Sequence, residues 1–386
     1  MTRSQNRYAA YLAYFVLSLG MTGLGFFVEE VPFAIAYIPL GLAICHRHRT
    51  HIFWLVCGHY AWVAVISGWG LHQLGYNPIL TIPAVLVTLA LGSWAMTWLG
   101  VGLSSALLCF IPFFPANPLL VTGAVFPDLG AWGIALLLIS VITIELLKSS
   151  KARVGLLVAA VTLGQIPFAR LTIDHGYQQA VSEQRNGIVP NDMYSEIDIS
   201  NHKAISRSGQ WTQIAQVIES RSTVILGENI FDHTDVGASA YWCRIAKEKA
   251  AILYIGVRGQ NGVGEVWGFD GRDCADPAVA YRAEVGIPKI TGGWLPNRTE
   301  AQSTFSGQQW LACFEGFSMY RWLRAYMTGA KSVVIVSNDR LTQPIPTAVL
   351  RRKVGAQFAK LFGLTVAHAD TGHNIITVDA TNLVEK

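Results

Sequence analysis

The spacing of apolar and polar positions divides the chain in two. From Tyr8 to about Arg170, long apolar runs follow one another with few acidic residues between them. About 20 apolar residues are enough to span a bilayer as a helix. The runs read as seven spans: Tyr8–Val28, Val31–Ile44, Ile52–Leu71, Ile79–Leu99, Gly100–Phe114, Trp132–Leu147 and Val154–Phe168. Glu29 and Glu30 end the first, and Pro39 breaks the short second. Pro115-Ala-Asn-Pro118 follows the fifth, and Val121–Asp128 reads as a re-entrant or interfacial piece. The first run has no small-residue cleavage site behind it, so it reads as a membrane helix rather than a leader.

From Asp174 onward the pattern becomes that of a soluble domain. Short β-rich runs are expected as strands at Ser222–Leu226, Ala251–Val257, Val263–Phe269, Gln309–Ala312, Ser332–Ser337, Leu364–Ala369 and Ile375–Val378. Amphipathic stretches predict helices at Gln210–Glu219, Ala240–Ala250, Gly316–Tyr326 and Thr347–Phe362, the last stopped by Gly363. Such alternation predicts an α/β domain. The expected organisation is a helical membrane domain over 1–173 and a soluble α/β domain over 174–386.

Composition agrees. Charged residues make up 14% of the 386 and hydrophobic ones 52%, whereas soluble domains carry about 25% charged residues. With a net charge of +4 and no basic run of nucleic-acid type, nucleic-acid binding is not expected. Arg3 and Arg7, His46–His51 and Lys148–Arg153 fall on one side of the membrane when seven spans are counted. Positive segments mark the inner side. The soluble domain is then expected outside, in the periplasm of a bacterium whose inner membrane holds the spans. Glu145 and Asp128 sit near span ends, where they can be solvated, and the absence of buried charge runs argues against a transporter.

Six cysteines are present, none with zinc-site spacing. Cys45, Cys57 and Cys109 lie in apolar runs, and Cys243, Cys274 and Cys313 in the soluble part. A periplasmic location would leave Cys243 and Cys274 free to form a disulfide. Cys313 closes the apolar run Trp310-Leu-Ala, with Glu315 two residues on and a helical pattern behind it. Backbone N–H groups at such a strand-to-helix junction favour a thiolate. Taken alone, it reads as a buried structural thiol. Glu228 also stands at the carboxyl end of an expected strand, and ligand sites of α/β folds gather there. A carboxylate base beside a thiol is an acyl-transfer pair.

In this order, Val-Ile-Leu-Gly-Glu228-Asn229, Cys313-Phe-Glu315, Ser337-Asn338-Asp339 and Ala-Asp-Thr371-Gly372 resemble the nitrilase (carbon–nitrogen hydrolase) superfamily. The layout, membrane helices before such a domain, is similar to apolipoprotein N-acyltransferase, and more so to its shorter relatives, the TraB family of conjugal transfer proteins. That acyltransferase carries a final membrane helix, whereas here the sequence stops at Lys386 with no further apolar run. The resemblance implies an αββα sandwich and a Glu–Lys–Cys triad. Cys313 would be the nucleophile, Glu228 the base, and Glu315 a group that orients the site or holds the cation. Asn338 and Asp339 would shape a turn beside it.

The cation is the departure. The corresponding segment is Tyr281-Arg282-Ala283-Glu284-Val-Gly-Ile-Pro288-Lys289. Strict register puts Ala283 at the lysine, with Arg282 one residue away and Lys289 just past the proline. Lys289 is the first choice. The chemistry implied needs no cofactor and no metal. It implies a membrane lipid as acyl donor, a protein amine as acceptor and proteins of a conjugation apparatus as partners. The competing reading is a degenerate member with a structural role in that machinery.

Overall fold

The computed structural model describes residues 3–46, 48–73, 77–108, 117–164, 194–198, 207–235, 237–259, 264–271, 278–283, 304–305, 308–330, 332–338, 345–371 and 374–378. Two compact units emerge. The first is Met1–Arg185 with Phe317–Leu323 and Thr342–Gly363, and the second is Asn186–Gly316 with Arg324–Leu341 and Leu364–Lys386. The boundary expected at 173/174 lies outside the described residues.

The helical unit contains α1 (Arg3–Phe27), α2 (Ile38–Cys45), α3 (Arg49–Gln73), α4 (Pro78–Leu99), α5 (Val101–Leu108), α6 (Thr122–Val125), α7 (Gly130–Leu146) and α8 (Ser150–Gly164). Three stretches are long and apolar enough to cross a membrane: Arg7–Phe27, Arg49–Trp69 and Thr81–Leu99. A fourth would be the pair Pro118–Val125 and Gly130–Leu146, bent by 114°. The other runs read as spans form shorter helices. The second is a 3-10 turn, Phe33–Tyr37, leading into the eight residues of α2, because Pro32 and Pro39 fix helix starts there. The fifth is described only as the eight residues of α5, and α8 has 15 residues.

Close packing joins α1 to α3. A Cβ on Gly58 would lie 2.5 Å from the carbonyl of Phe15, so only glycine lets these backbones approach. Thr22 Oγ1 and His59 Nδ1 lie 3.0 Å apart inside this packing, which satisfies polar atoms that lipid would leave bare.

Helix ends sort into two groups. At one end Tyr14 meets His51, with ring centroids 4.8 Å apart, and the Arg49 guanidinium lies 3.5 Å from the centre of the Trp98 ring. Arg153 donates to the carbonyls of Ile44, His46, Glu145 and Leu147 at 2.8–3.0 Å. The Glu145 carboxylate accepts from the amides of Val101 and Gly102, at 2.6 and 3.2 Å, and so caps α5. Glu145 is therefore half-buried and capping a helix, where the sequence pointed to a solvated charge. The structure thus gathers His46, His51, Arg49 and Arg153 at one end of the unit.

The opposite end is crossed by α12 (Thr347–Phe362), a helix far along the chain that groups with this unit. Lys353 Nζ donates to the carbonyls of Gly25, Val28 and Val31, at and just past the end of α1. Burial lowers the Lys353 pKa, against the opposing pull of Glu29 and Glu30. Arg352 pairs with Glu29 at 3.0 Å. Two turns on, the carbonyl of Lys360 accepts from Asp128 N–H at 2.9 Å, and a Cβ on Gly133 would lie 2.8 Å from Leu361. Trp322, on α11 (Met319–Met327), lies against Phe358 with ring centroids 5.2 Å apart and the planes tilted by 33°.

The second unit is built on one ten-stranded sheet, in the order β5-β4-β3-β2-β10-β9-β8-β7-β6 with β1 on β10. The strands are β1 (Tyr194–Asp198), β2 (Thr223–Asp232), β3 (Ile252–Arg258), β4 (Gly264–Phe269), β5 (Ala278–Arg282), β6 (Thr304–Phe305), β7 (Gln308–Ala312), β8 (Ser332–Ser337), β9 (Thr365–Asp370) and β10 (Asn374–Val378). The sequence pattern missed β1, β5 and β6. All are short, and β5 and β6 lie at the two ends of the order. Helices α9 (Arg207–Val217) and α10 (Ala238–Lys249) complete the described elements.

The sheet folds over on itself. One core cluster joins Val266 and Tyr281 of β4 and β5 to Trp310, Val334 and Ala367 of β7, β8 and β9, although these strands lie toward opposite ends of the order. Tyr254 of β3 lies against Trp310 with centroids 5.4 Å apart. Burial beneath this second layer and the Asp270 carboxylate push the Tyr254 pKa up to about 12. Alternate residues of β2 to β4, including Val224, Leu226, Leu253 and Ile255, face outward and pack with Ile214 of α9 and with Trp242 and Ala246 of α10. The period of two along each strand thus separates an inner face between sheet layers from an outer face under helices.

Candidate active site

Five strands run in one sense. β2 pairs parallel with β3, and β7, β8 and β9 pair parallel with one another. β10 is antiparallel to both β2 and β9, so both groups point the same way. Cys313, Ser337-Asn338 and Asp370-Thr371 stand at their carboxyl ends, and Glu228 stands in the carboxyl-terminal half of β2. The fold therefore gathers the sequence motifs along one edge of the sheet.

Glu228 does not end its strand, as the pattern predicts. It sits in a bulge: from Leu226 to Phe231 β2 advances five residues while β3 advances two, Ile255 to Val257. A bulge re-aims a side chain. Here the bulge requires glycine beneath it, since a Cβ on Gly256 would lie 2.3 Å from the Gly227 carbonyl and 2.6 Å from Glu228 Cα. The Glu228 carboxylate turns to the inner face. A Cβ on Gly264 would lie 2.8 Å from Glu228 Oε1 and 3.8 Å from Ala283 Cβ, and Ala283 belongs to the inner core. Only 9% of Glu228 is exposed. Thr371 Oγ1 donates to the Glu228 carbonyl at 2.5 Å, and Thr371 N–H donates to Ser337 O at 3.0 Å. These bonds tie the bulge to the ends of β8 and β9.

Cys313 follows β7 directly and opens a five-residue 3-10 turn, Cys313–Phe317. Ser318 separates that turn from α11, so the α-helix N-terminus does not abut Cys313 as the spacing predicted. Cys313 is described by its backbone alone. The turn is anchored by Glu315, which is 2% exposed. Its Oε2 accepts from Ala312 N–H at 3.1 Å and from the Tyr281 hydroxyl. Tyr281 lies on β5, so this bond joins the turn after β7 to the far end of the sheet. Glu315 is thus a buried clamp between sheet layers, and Asn338 lies half-buried just past β8.

The two cation candidates fare differently. Lys289 lies outside the described residues. Arg282 faces outward, opposite in parity to Tyr281, and its Nε donates to Glu265 Oε1 at 2.7 Å. Trp267 Nε1 donates to the other oxygen of that carboxylate at 2.7 Å. Arg282 is therefore held on the opposite sheet face from the Glu228 carboxylate.

A second polar group lies at the same edge but on the outer face. Ser337 Oγ donates to Asp370 Oδ2 at 2.7 Å and lies 2.7 Å from His368 Nε2, with all three side chains buried. The sequence motifs included Ser337 but gave no sign of His368, which alternation with the apolar Ala367 and Ala369 could have revealed. Its position across β8 and β9 fits a structural lock on two strand ends. Cys243 is fully buried on α10 and disulfide-bonded, while Cys274 lies outside the described residues. Among the described residues, no group of three His, Cys, Asp or Glu could hold a metal. The chain matches no protein-family model, and no curated protein is significantly similar to it.

Proposed function

We propose that this chain is a membrane-bound acyltransferase of nitrilase type, with Cys313 as nucleophile, Glu228 as base and Lys289 as the oxyanion-stabilising cation. The observation that carries the reading is the convergence, on one sheet edge, of an inward carboxylate held in a glycine-floored bulge and the Cys313 turn held by Glu315. In the reaction, Glu228 takes the Sγ proton as the thiolate attacks an ester carbonyl. A C–S bond forms, the tetrahedral oxyanion is met by Lys289, and the C–O bond breaks. Glu228 returns the proton to the departing alcohol. An amine then attacks the thioester, Glu228 takes its proton, and the thiolate leaves with an amide formed.

The three apolar helices support a phospholipid as acyl donor, since such a lipid is at hand for a membrane-bound enzyme, and the acceptor is a protein amine. The gathered basic segments support seven crossings, with that end cytoplasmic and the αββα sandwich periplasmic in a bacterial inner membrane. The disulfide at Cys243 supports an oxidising compartment for the sandwich. The resemblance of its motifs to those of the TraB proteins supports a role in plasmid conjugation.

The competing reading, a degenerate scaffold in the conjugation machinery, is favoured by the altered lysine segment. A Cys313→Ala substitution separates the two. Loss of plasmid transfer at normal protein level supports catalysis, and unchanged transfer supports the scaffold.

A further inference from the structure

The α11 helix carries large apolar and aromatic side chains on its exposed side as well as on its buried one. Its buried side carries Arg321 beside Trp322 and Ala325. Its exposed side carries Tyr320, 62% exposed, Tyr326, 44%, and Met327, 75%, with Leu323 half-buried and Arg324 exposed between them. Positions 320, 323, 324 and 327 fall on one helical face. A single exposed apolar residue is ordinary, but a contiguous apolar stripe marks an interaction surface.

The structure also indicates what covers it. Trp322 lies against Phe358 of α12, and α12 crosses the end of the helical unit where Lys353 meets carbonyls at and just past the end of α1. At that same end Trp132, 77% exposed, starts α7 beside Gly133. Tyrosine, tryptophan and arginine beside apolar side chains are the residues of the membrane–water interface.

We propose that the exposed face of α11 is embedded in the interfacial layer of the phospholipid bilayer. Tyr320, Leu323 and Met327 lie among the upper acyl chains, and Arg324 reaches phosphate. This rests on the membrane helices and not on the acyl-transfer chemistry. Position favours lipid over a second copy, since α11 packs through Trp322 on α12, the helix that crosses the end of the apolar spans, where Trp132 is also exposed.

The test places a benzophenone amino acid at Tyr320 or Met327 in the full chain, reconstituted in vesicles of phosphatidylethanolamine and phosphatidylglycerol. Adducts are read by mass spectrometry after irradiation. The same label at Leu86, exposed on α4, and at Arg244, exposed on α10, gives the reference levels. Phospholipid adducts at both α11 positions should match Leu86 and exceed Arg244 by about tenfold, as a helix embedded at the interface requires. Adducts to a second copy of the chain, or levels no higher than at Arg244, would overturn the proposal. Both side chains are exposed, so neither label disturbs the core.

Discussion

Replacing Gly264 by alanine tests whether the position of the Glu228 carboxylate matters. The added Cβ would lie 2.8 Å from Glu228 Oε1, with Glu228 Cδ next at 3.7 Å and Ala283 Cβ at 3.8 Å. Nothing but the end of a flexible side chain stands in its way. Relieving the contact moves the carboxylate by about 0.5–1 Å, since comfortable separations begin near 3.5 Å. The strand has ordinary backbone angles at this point, as Gly264 is not among the positive-φ glycines. Alanine there should leave stability within about 1 kcal/mol, because reduced freedom of the unfolded chain offsets mild overpacking. A base displaced by that much should slow deprotonation of Cys313 by about 10- to 100-fold, or about 1.4–2.7 kcal/mol. The assay is peptide-resolved alkylation of Cys313 by iodoacetamide in reconstituted protein, beside an unfolding midpoint. A normal alkylation rate in a stably folded Gly264→Ala protein would refute Glu228 as the base. Gly256→Ala is the contrasting case. Its Cβ would meet backbone at 2.3 Å, so it should lower the unfolding midpoint as well as the alkylation rate.

Tyr281→Phe removes one of the two donors described on the buried Glu315 carboxylate and should cost about 1.5–3 kcal/mol in unfolding free energy, the range for hydrogen bonds to charged groups. An unshifted denaturation curve would contradict the clamp. Lys353→Met leaves the carbonyls of Gly25, Val28 and Val31 without their ammonium donor. It should lower the thermal midpoint in detergent by an amount equivalent to about 1.5–3 kcal/mol, and no change would show that α12 is not fastened there. Tyr254 titrates near 12 when folded, above its unfolded value of about 10. Its contribution is therefore present below pH ~10 and is lost as pH rises toward 12. Unfolding midpoints measured across that window should fall less steeply in Tyr254→Phe, and identical slopes would contradict this linkage.

Much of this arrangement was legible in the sequence because it rests on periodicity. Strands β3, β4, β7, β8 and β9 and helices α10 and α12 follow from apolar spacing and stop signals such as Gly363. The motif residues Glu228, Cys313 and Glu315 were singled out by strand-end position and order. What escaped depends on distant partners. The bulge at Glu228 exists because Gly256 and Gly264, 28 and 36 residues on, leave room for it. The role of Glu315 needs Tyr281, on a strand too short for its pattern to stand out. The sequence grouped α12 with the soluble half because its amphipathic pattern suits either surroundings. The contacts of Lys353, Arg352 and Lys360 reveal its place across the helical end. Arg282 and Lys289 could not be separated by counting along the motif, whereas strand parity turns Arg282 outward to Glu265.

The central claim is that Cys313 is a nucleophile that Glu228 activates toward a lipid ester. The measurement that tests it most directly is mass spectrometry of the Cys313 peptide after the full-length protein is incubated with phospholipid labelled in its acyl chain. A labelled thioester on Cys313 that disappears in Glu228→Gln is the predicted result. Folded protein with no thioester on Cys313, or equal labelling in Glu228→Gln, would contradict it.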